Sequence, residues 1–222
     1  MKRILLIMLL MLPVAVSAQK DVTKFLGIPV DGKKSTVIRK LKAKGFAYNM
    51  QRDMLEGEFN GSMVMLNVLT NKNKVWRICV IDKTAVDAAH IKIRFNNLCQ
   101  QFSENKKYFS RDLTGRGWKL LDDEDISVGT WLKNKEYEAK YIQLPDTSLI
   151  AMQELESKLH EIENSFDEED ARNKFKLLCM SNFYGKRWGK KNVWFRIFKY
   201  NGEYRIMMYY DNSYNQPNGE DL

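Results

Sequence analysis

Asn-Gly between two apolar runs is the strongest short-range hairpin signal a sequence offers, and this chain carries it twice. In residues 55–82, LEGEFNGSMVMLNVLTNKNKVWRICVID, Asn60-Gly61 joins a short run to the apolar run 63–69. A further run, 75–81, follows across Asn71-Lys72-Asn73-Lys74. Near the end, Asn201-Gly202 joins 193–200 to 204–211. Both regions predict antiparallel meanders, each needing a helix to cover one face. In 63–69 both alternate sets are apolar (Met63, Met65, Leu69 and Val64, Leu66, Val68), which places this strand in the middle of a covered sheet.

The helices that would cover these meanders follow from 3.6-residue periodicity. Residues 34–44 put Val37, Ile38 and Leu41 on one face, and Gly45 stands at the C-cap position. Residues 84–102 align Ile91, Phe95, Leu98 and Phe102, with Asp87 in the first turn where it suits the helix dipole. Residues 105–117 read as a polar loop, 118–121 as a short strand and 122–125 as an acidic turn. Residues 128–132 and 137–144 read as a hairpin across Lys133-Asn134-Lys135. From Pro145 the texture changes. Leu149, Met152, Leu155, Leu159 and Ile162 mark a helix over 148–164. Ser165-Phe166-Asp167-Glu168 has a capping-box pattern and opens a helix over 166–183, with Ala171, Phe175, Leu178 and Phe183 on one face.

The predicted fold is α+β: two helix-plus-antiparallel-meander units, with a helical hairpin inserted in the second. The first unit spans 19–83 and the second 84–222, with the insert at about 146–183. VWRICVID (75–82) and YRIMMYYD (204–211) are the equivalent last strands. The alternative is one continuous sheet with all helices on one face.

Residues 1–18 read as a secretory signal peptide. Lys2 and Arg3 precede an apolar run over 4–12, Pro13 ends it, and Val16-Ser17-Ala18 supplies small residues at the cleavage site. The run is too short to span a bilayer. Export is therefore expected, to the periplasm or beyond, with no membrane span and cleavage near Ala18. The chain has 36 Lys and Arg against 28 Asp and Glu, a net charge of +8, which falls to +6 without Lys2 and Arg3. In an exported chain that moderate excess points to anionic surfaces such as acidic glycans rather than to nucleic acid. Cys79, Cys99 and Cys179 make an odd count, each within an apolar run, so packed thiols are expected. A Cys79–Cys99 bridge is the alternative.

Phe25–Phe46 (FLGIPVDGKKSTVIRKLKAKGF), NKVWRICVID, IRFNNLCQQF and the ending YYDNSYNQPNGEDL resemble a group of exported, uncharacterised proteins of Gram-negative anaerobes. That resemblance implies export and no particular activity. The doubled helix-then-four-strands layout is similar to that of β-lactamase inhibitory proteins and of small outer-membrane assembly lipoproteins. This second likeness is of topology only. It carries no site residues and implies action by binding other proteins.

The search for chemistry is nearly empty. The sequence has no Gly-x-Ser-x-Gly elbow, no His-Glu-x-x-His, no Cys-x-x-Cys, no phosphate loop and no dinucleotide fingerprint. His90 and His160 are expected at helix surfaces. Asp122-Asp123-Glu124-Asp125 lacks the spacing of a calcium loop, so no metal and no cofactor is expected. Residues 184–194, YGKRWGKKNVW, interleave basic and aromatic side chains on what reads as a Gly-hinged loop, suited to sugar rings or acidic groups. Arg187, Trp188, Lys190 and Lys191 are expected to lie exposed and close together. The bland alternative is that Trp194 packs inward and the lysines are merely solvated. Asp211, Asn212 and Tyr214 form a second candidate, although capping a sheet edge explains them equally. The expectation is an exported, non-enzymatic binding or accessory protein of the cell envelope, its partner a protein or an envelope glycan. The alternative is an envelope hydrolase using an unrecognised carboxylate pair.

Overall fold

The computed structural model describes residues 21–145, 155, 159–160 and 168–219. Residues 1–18, expected to be a signal peptide, Ser165–Asp167 of the capping-box pattern and most of the helix expected over 148–164 lie outside the described residues. The architecture is α+β. Ten strands and four helices have defined bounds: β1 (Lys24–Phe25), β2 (Ile28–Pro29), α1 (Lys34–Ala43), β3 (Ala47–Asn49), β4 (Met54–Phe59), β5 (Ser62–Asn71), β6 (Lys74–Asp82), α2 (Ala88–Glu104), β7 (Tyr108–Ser110), α3 (Ile126–Leu132), β8 (Glu138–Gln143), α4 (Glu169–Trp188), β9 (Lys191–Tyr200) and β10 (Glu203–Asn212). Apart from the small β1–β2 pair, the strands form one eight-stranded antiparallel sheet in the order β3-β4-β5-β6-β10-β9-β8-β7.

Three tight turns set the register. Asn60-Gly61 (φ 52° and 70°), Lys72-Asn73 (46° and 62°) and Asn201-Gly202 (50° and 84°) all take left-handed conformations. Such turns match the twist of the flanking strands, which is why Asn-Gly marks them. The first half of the chain supplies α1 and the sheet strands β3–β6, and the second supplies α2, α3, α4 and β7–β10. The two last strands, β6 and β10, pair with each other and join the halves, with Tyr209 opposite Cys79 and Asp211 opposite Arg77. The central position of β5 and β6 agrees with their apolar alternation.

One face of the sheet is covered by α1, α2 and α3. Val37 and Leu41 of α1, and Ile91, Phe95 and Leu98 of α2, share one core with Val64, Leu66, Ile78, Phe195, Ile206 and Tyr210. The chain before α1 seals one end of this core. Phe25 is fully buried against Phe46, Phe59 and Tyr210. The second cluster lies at the β7–β8 end of the sheet, on the other face. There Phe183 and Tyr184 of α4 pack with Ile142, Phe109, Leu155 and Leu159. The sheet is thus continuous, but its helices do not all share one side.

Four sequence expectations are corrected. Residues 128–132 form part of α3 and not a strand, because the Asp125 side chain accepts the Val128 N–H as an N-cap and Ile126 and Gly129 are buried. Residues 108–110 are strand β7 and not loop, paired to β8. Residues 118–121 form no strand, since the Asn96 side-chain amide takes the place of a neighbour, accepting from the Leu120 N–H and donating to its carbonyl. Finally, 184–192 is not a loop. Helix α4 continues to Trp188 because Tyr184 and Trp188 still have apolar surface to cover, and β9 begins at Lys191. All three cysteines are free thiols, so Cys79 and Cys99 form no bridge.

Candidate functional site

Alternation along the central strands leaves one face of the sheet without α1, α2 or α3. Its side chains form cross-strand rows, fixed by register. One row runs Lys140, Trp194, Tyr209, Cys79, Asn67 across β8, β9, β10, β6 and β5. The next runs Glu138, Arg196, Met207, Ile81, Met65. A third row holds Asn192, Asp211, Arg77 and Leu69. Directly opposed cross-strand residues interact, so these rows are units of contact and not lists of neighbours.

Asp211 anchors the site. Its carboxylate accepts two hydrogen bonds from the Arg77 guanidinium, at 2.6 and 2.7 Å, and a third from Trp194 Nε1 at 3.0 Å. The indole of Trp194 stacks on Tyr209, with centroids 4.1 Å apart and planes 20° from parallel. The Arg77 guanidinium also lies 4.3 Å from the Trp76 ring and 4.7 Å from that of Tyr209. Trp76 reaches this place because the register of β5 and β6 shifts between Leu69 and Thr70, leaving Trp76 as an extra residue in β6. Further along, Arg196 and Arg205 lie near the Phe198 and Tyr200 rings, and their Nε–H groups are buried with no acceptor among the described residues. Met65, Ile81 and Met207 are half-buried, and Met63 is exposed. Burial pushes the Cys79 thiol up to about 12, so it behaves as a small apolar group and not as a nucleophile.

Beside Trp194 a cleft of about 250 Å³ is lined by Arg111, Glu138, Lys140, Tyr141, Asn192 and Asp211. Arg111 donates to the Asn192 side chain at 2.9 Å. Two carboxylates therefore face one cleft. Glu138 is paired with Lys140 at 2.5 Å and Asp211 with Arg77, so each carboxylate meets a cation. That arrangement suits ion pairing. Among the described residues no group of three His, Cys, Asp or Glu side chains could hold a metal ion.

The two stretches singled out in the sequence become neighbours, because β9 and β10 pair with Lys191 opposite Asn212 and Asn192 opposite Asp211. Their members then separate by role. Lys191 is 3% exposed, not exposed as expected, and its ammonium binds Asp21 at 2.8–2.9 Å. Trp188 is half-buried between Phe183 and Tyr184, and the Arg187 guanidinium lies 4.3 Å from the Phe183 ring. Lys190 is exposed. Asn212 is fully buried and donates to the Val30 carbonyl at 2.8 Å, so it locks the tail to the lead-in. Tyr214 is 43% exposed. Of these seven residues only Asp211 belongs to the open face. Arg187, Trp188, Lys190 and Lys191 do not form one exposed patch. Sequence reasoning passed over Arg77, Trp76, Tyr209 and Arg196. A signal existed in KNVWFRIFKY, whose outward set is Asn192, Trp194, Arg196, Phe198 and Tyr200. That set is too aromatic for an ordinary solvated face.

No known protein family, no curated protein and no solved structure matches this chain.

Proposed function

We propose that this chain is an exported, non-enzymatic binding or accessory protein of the cell envelope that holds a protein partner on the open face of its sheet. The carrying observation is the composition of that face: Trp76, Trp194 and Tyr209 with Arg77, Arg196 and Arg205, bordered by Met63, Met65 and Met207. Trp, Tyr, Arg and Met are the residues enriched where proteins bind proteins. The Arg77–Asp211 pair fixes Trp194 in place, which lowers the ordering cost of binding. The N-terminal signal-peptide pattern supports export, and sequencing the mature N-terminus checks it, with Gln19 expected first.

The test uses Met65→Lys/Met207→Lys, two half-buried positions joined through Ile81. Immobilised wild-type protein should retain a defined envelope protein that the double variant loses, with thermal midpoints matched. Equal retention by both would remove the face from the reading. Glu138 and Asp211 in one cleft support a second reading, an envelope hydrolase. Turnover on a glycosidase and peptidase panel, abolished in Glu138→Gln, would replace the binding reading with that one.

A further inference from the structure

A second large cleft does not lie on the open face. It measures about 740 Å³ and lies on the helix-covered side, between the β1–β2 hairpin, the β4–β5 turn, the end of α2 and β7. Pockets of about 300–1,000 Å³ hold small molecules, and a binding pocket combines apolar walls with a few fixed polar groups. This cleft has both. Phe102, Met208 and Tyr210 form a buried apolar floor, and Phe59 and Leu144 add partly buried surface.

The polar groups are held in place before any ligand arrives. Gln143 accepts from the Lys24 N–H at 2.7 Å and donates to the Lys24 carbonyl at 2.9 Å, so it clamps β1 to β8. It also donates to the Tyr108 hydroxyl at 3.4 Å, and Tyr108 bonds to Tyr210. The charge around the cleft is lopsided. Lys24, Lys107 and Lys191 line it against one carboxylate, Glu58. Lys191 is satisfied by Asp21. Among the described residues the Lys24 and Lys107 side chains have no ion-pair partner.

We propose that this cleft binds an organic monocarboxylate with an apolar body. The body covers Phe102, Met208 and Phe59, and the carboxylate sits between Lys24 and Lys107. Lys24 and Lys107 are exposed at the mouth, so a neutral ligand would gain nothing from them and a cation would be repelled. This site lies on the opposite side of the sheet from the partner-binding face and stands whether or not that face binds a protein.

The test uses dodecanoate below its micelle concentration, with the full chain labelled at its methionine methyl groups with carbon-13. Met208 reports on the cleft floor, while Met63, Met65 and Met207 report on the open face, and single Met→Leu variants assign the signals. Dodecanoate should shift the Met208 methyl saturably and leave the other three unmoved. Lys24→Ala/Lys107→Ala should weaken the apparent affinity by roughly three- to tenfold, since contacts of exposed charges are individually modest. Asn105→Asp should also weaken it. Asn105 lines the cleft and caps the Lys107 N–H through its side-chain oxygen, which aspartate retains while adding a negative charge. Three results would overturn the proposal: no saturable shift at Met208, shifts confined to the open-face methionines, or equal response to dodecanol with no effect of the lysine variant.

Discussion

Replacing Asp211 with Ala should unfold this protein more readily than its place near the end of β10 implies. The Asp211 side chain is 8% exposed and that of Arg77 19%, and the two meet through a bidentate pair. Removing the carboxylate strands a largely buried guanidinium and the Trp194 N–H. Breaking a buried pair from one side costs about 3–5 kcal/mol, because the remaining charge is left uncompensated. Arg77 keeps some water contact and its place among three aromatic rings, so the lower end, about 3 kcal/mol, is expected. For a domain of this size that corresponds to a drop of roughly 6–12 °C in Tm. Urea unfolding followed by circular dichroism measures it, with the slope checked for constancy. The cycle with Arg77→Met separates pair from context. Once one partner is gone the other has less to lose, so the double variant should cost at least about 1 kcal/mol less than the sum of the singles. A loss below about 1 kcal/mol in Asp211→Ala, or strict additivity, would mean the pair behaves as a solvated surface contact. The rigid anchor assigned to the open face would then be lost.

Three further outcomes are expected. Burial pushes both the Cys79 and Cys99 thiols up to about 12, so Ellman's reagent at pH 8 should react with Cys179 alone in the native protein and with all three cysteines after unfolding; rapid native labelling of Cys79 or Cys99 counts against the packing described. The Lys135 ammonium, then the Tyr137 hydroxyl, hold the Glu124 carboxyl below its usual range, so its contribution is present above the unfolded value of about 4.3 and fades as pH falls through the lowered folded one. Glu124→Gln should therefore be less stable than wild type at pH 7 and equal to it at pH 2, and a constant gap across that range would refute the assignment. Gly129→Ala should destabilise by about 1–3 kcal/mol, because the new Cβ would run into the buried Tyr137 hydroxyl, which outweighs the roughly 1 kcal/mol that alanine gains in a helix; a higher Tm would show that Tyr137 can yield.

What the sequence made legible was local. Asn60-Gly61 and Asn201-Gly202 announce their turns because their chemistry acts within a few residues, and the Ile91, Phe95, Leu98, Phe102 stripe announces α2 for the same reason. The misses needed tertiary partners. Residues 128–132 read as a strand, and the Asp125 cap with the seat of Gly129 against Tyr137 makes them part of a helix. Residues 108–110 carry no strand signal of their own and become one by adding to β8. Tyr184–Trp188 reads as a hinged basic loop until Phe183, Tyr184 and Trp188 find Ile142 and Phe109 to cover.

The site was harder than the fold because a strand's parity is invisible when both of its alternate sets are amphipathic. Asp211 and Asn212 are adjacent and equally polar in sequence. One faces Arg77 on the open side, and the other is sealed in the core against the Val30 carbonyl. Val193 and Trp194 divide in the same way, the first fully buried and the second stacked on Tyr209. A one-residue slip of β10 against β6 would exchange the two sets, sending Asn212 to the open face and Asp211 into the core. That exchange is blocked from several directions at once. Asn212 must reach Val30, Asn215 must reach Asp31 and the Val75 carbonyl, and the Thr23 hydroxyl must reach the Asp211 carbonyl. The polar tail that read as a possible ligand site is thus the clamp that fixes the register of β10. Through that register it decides which residues lie on the open face and which in the core.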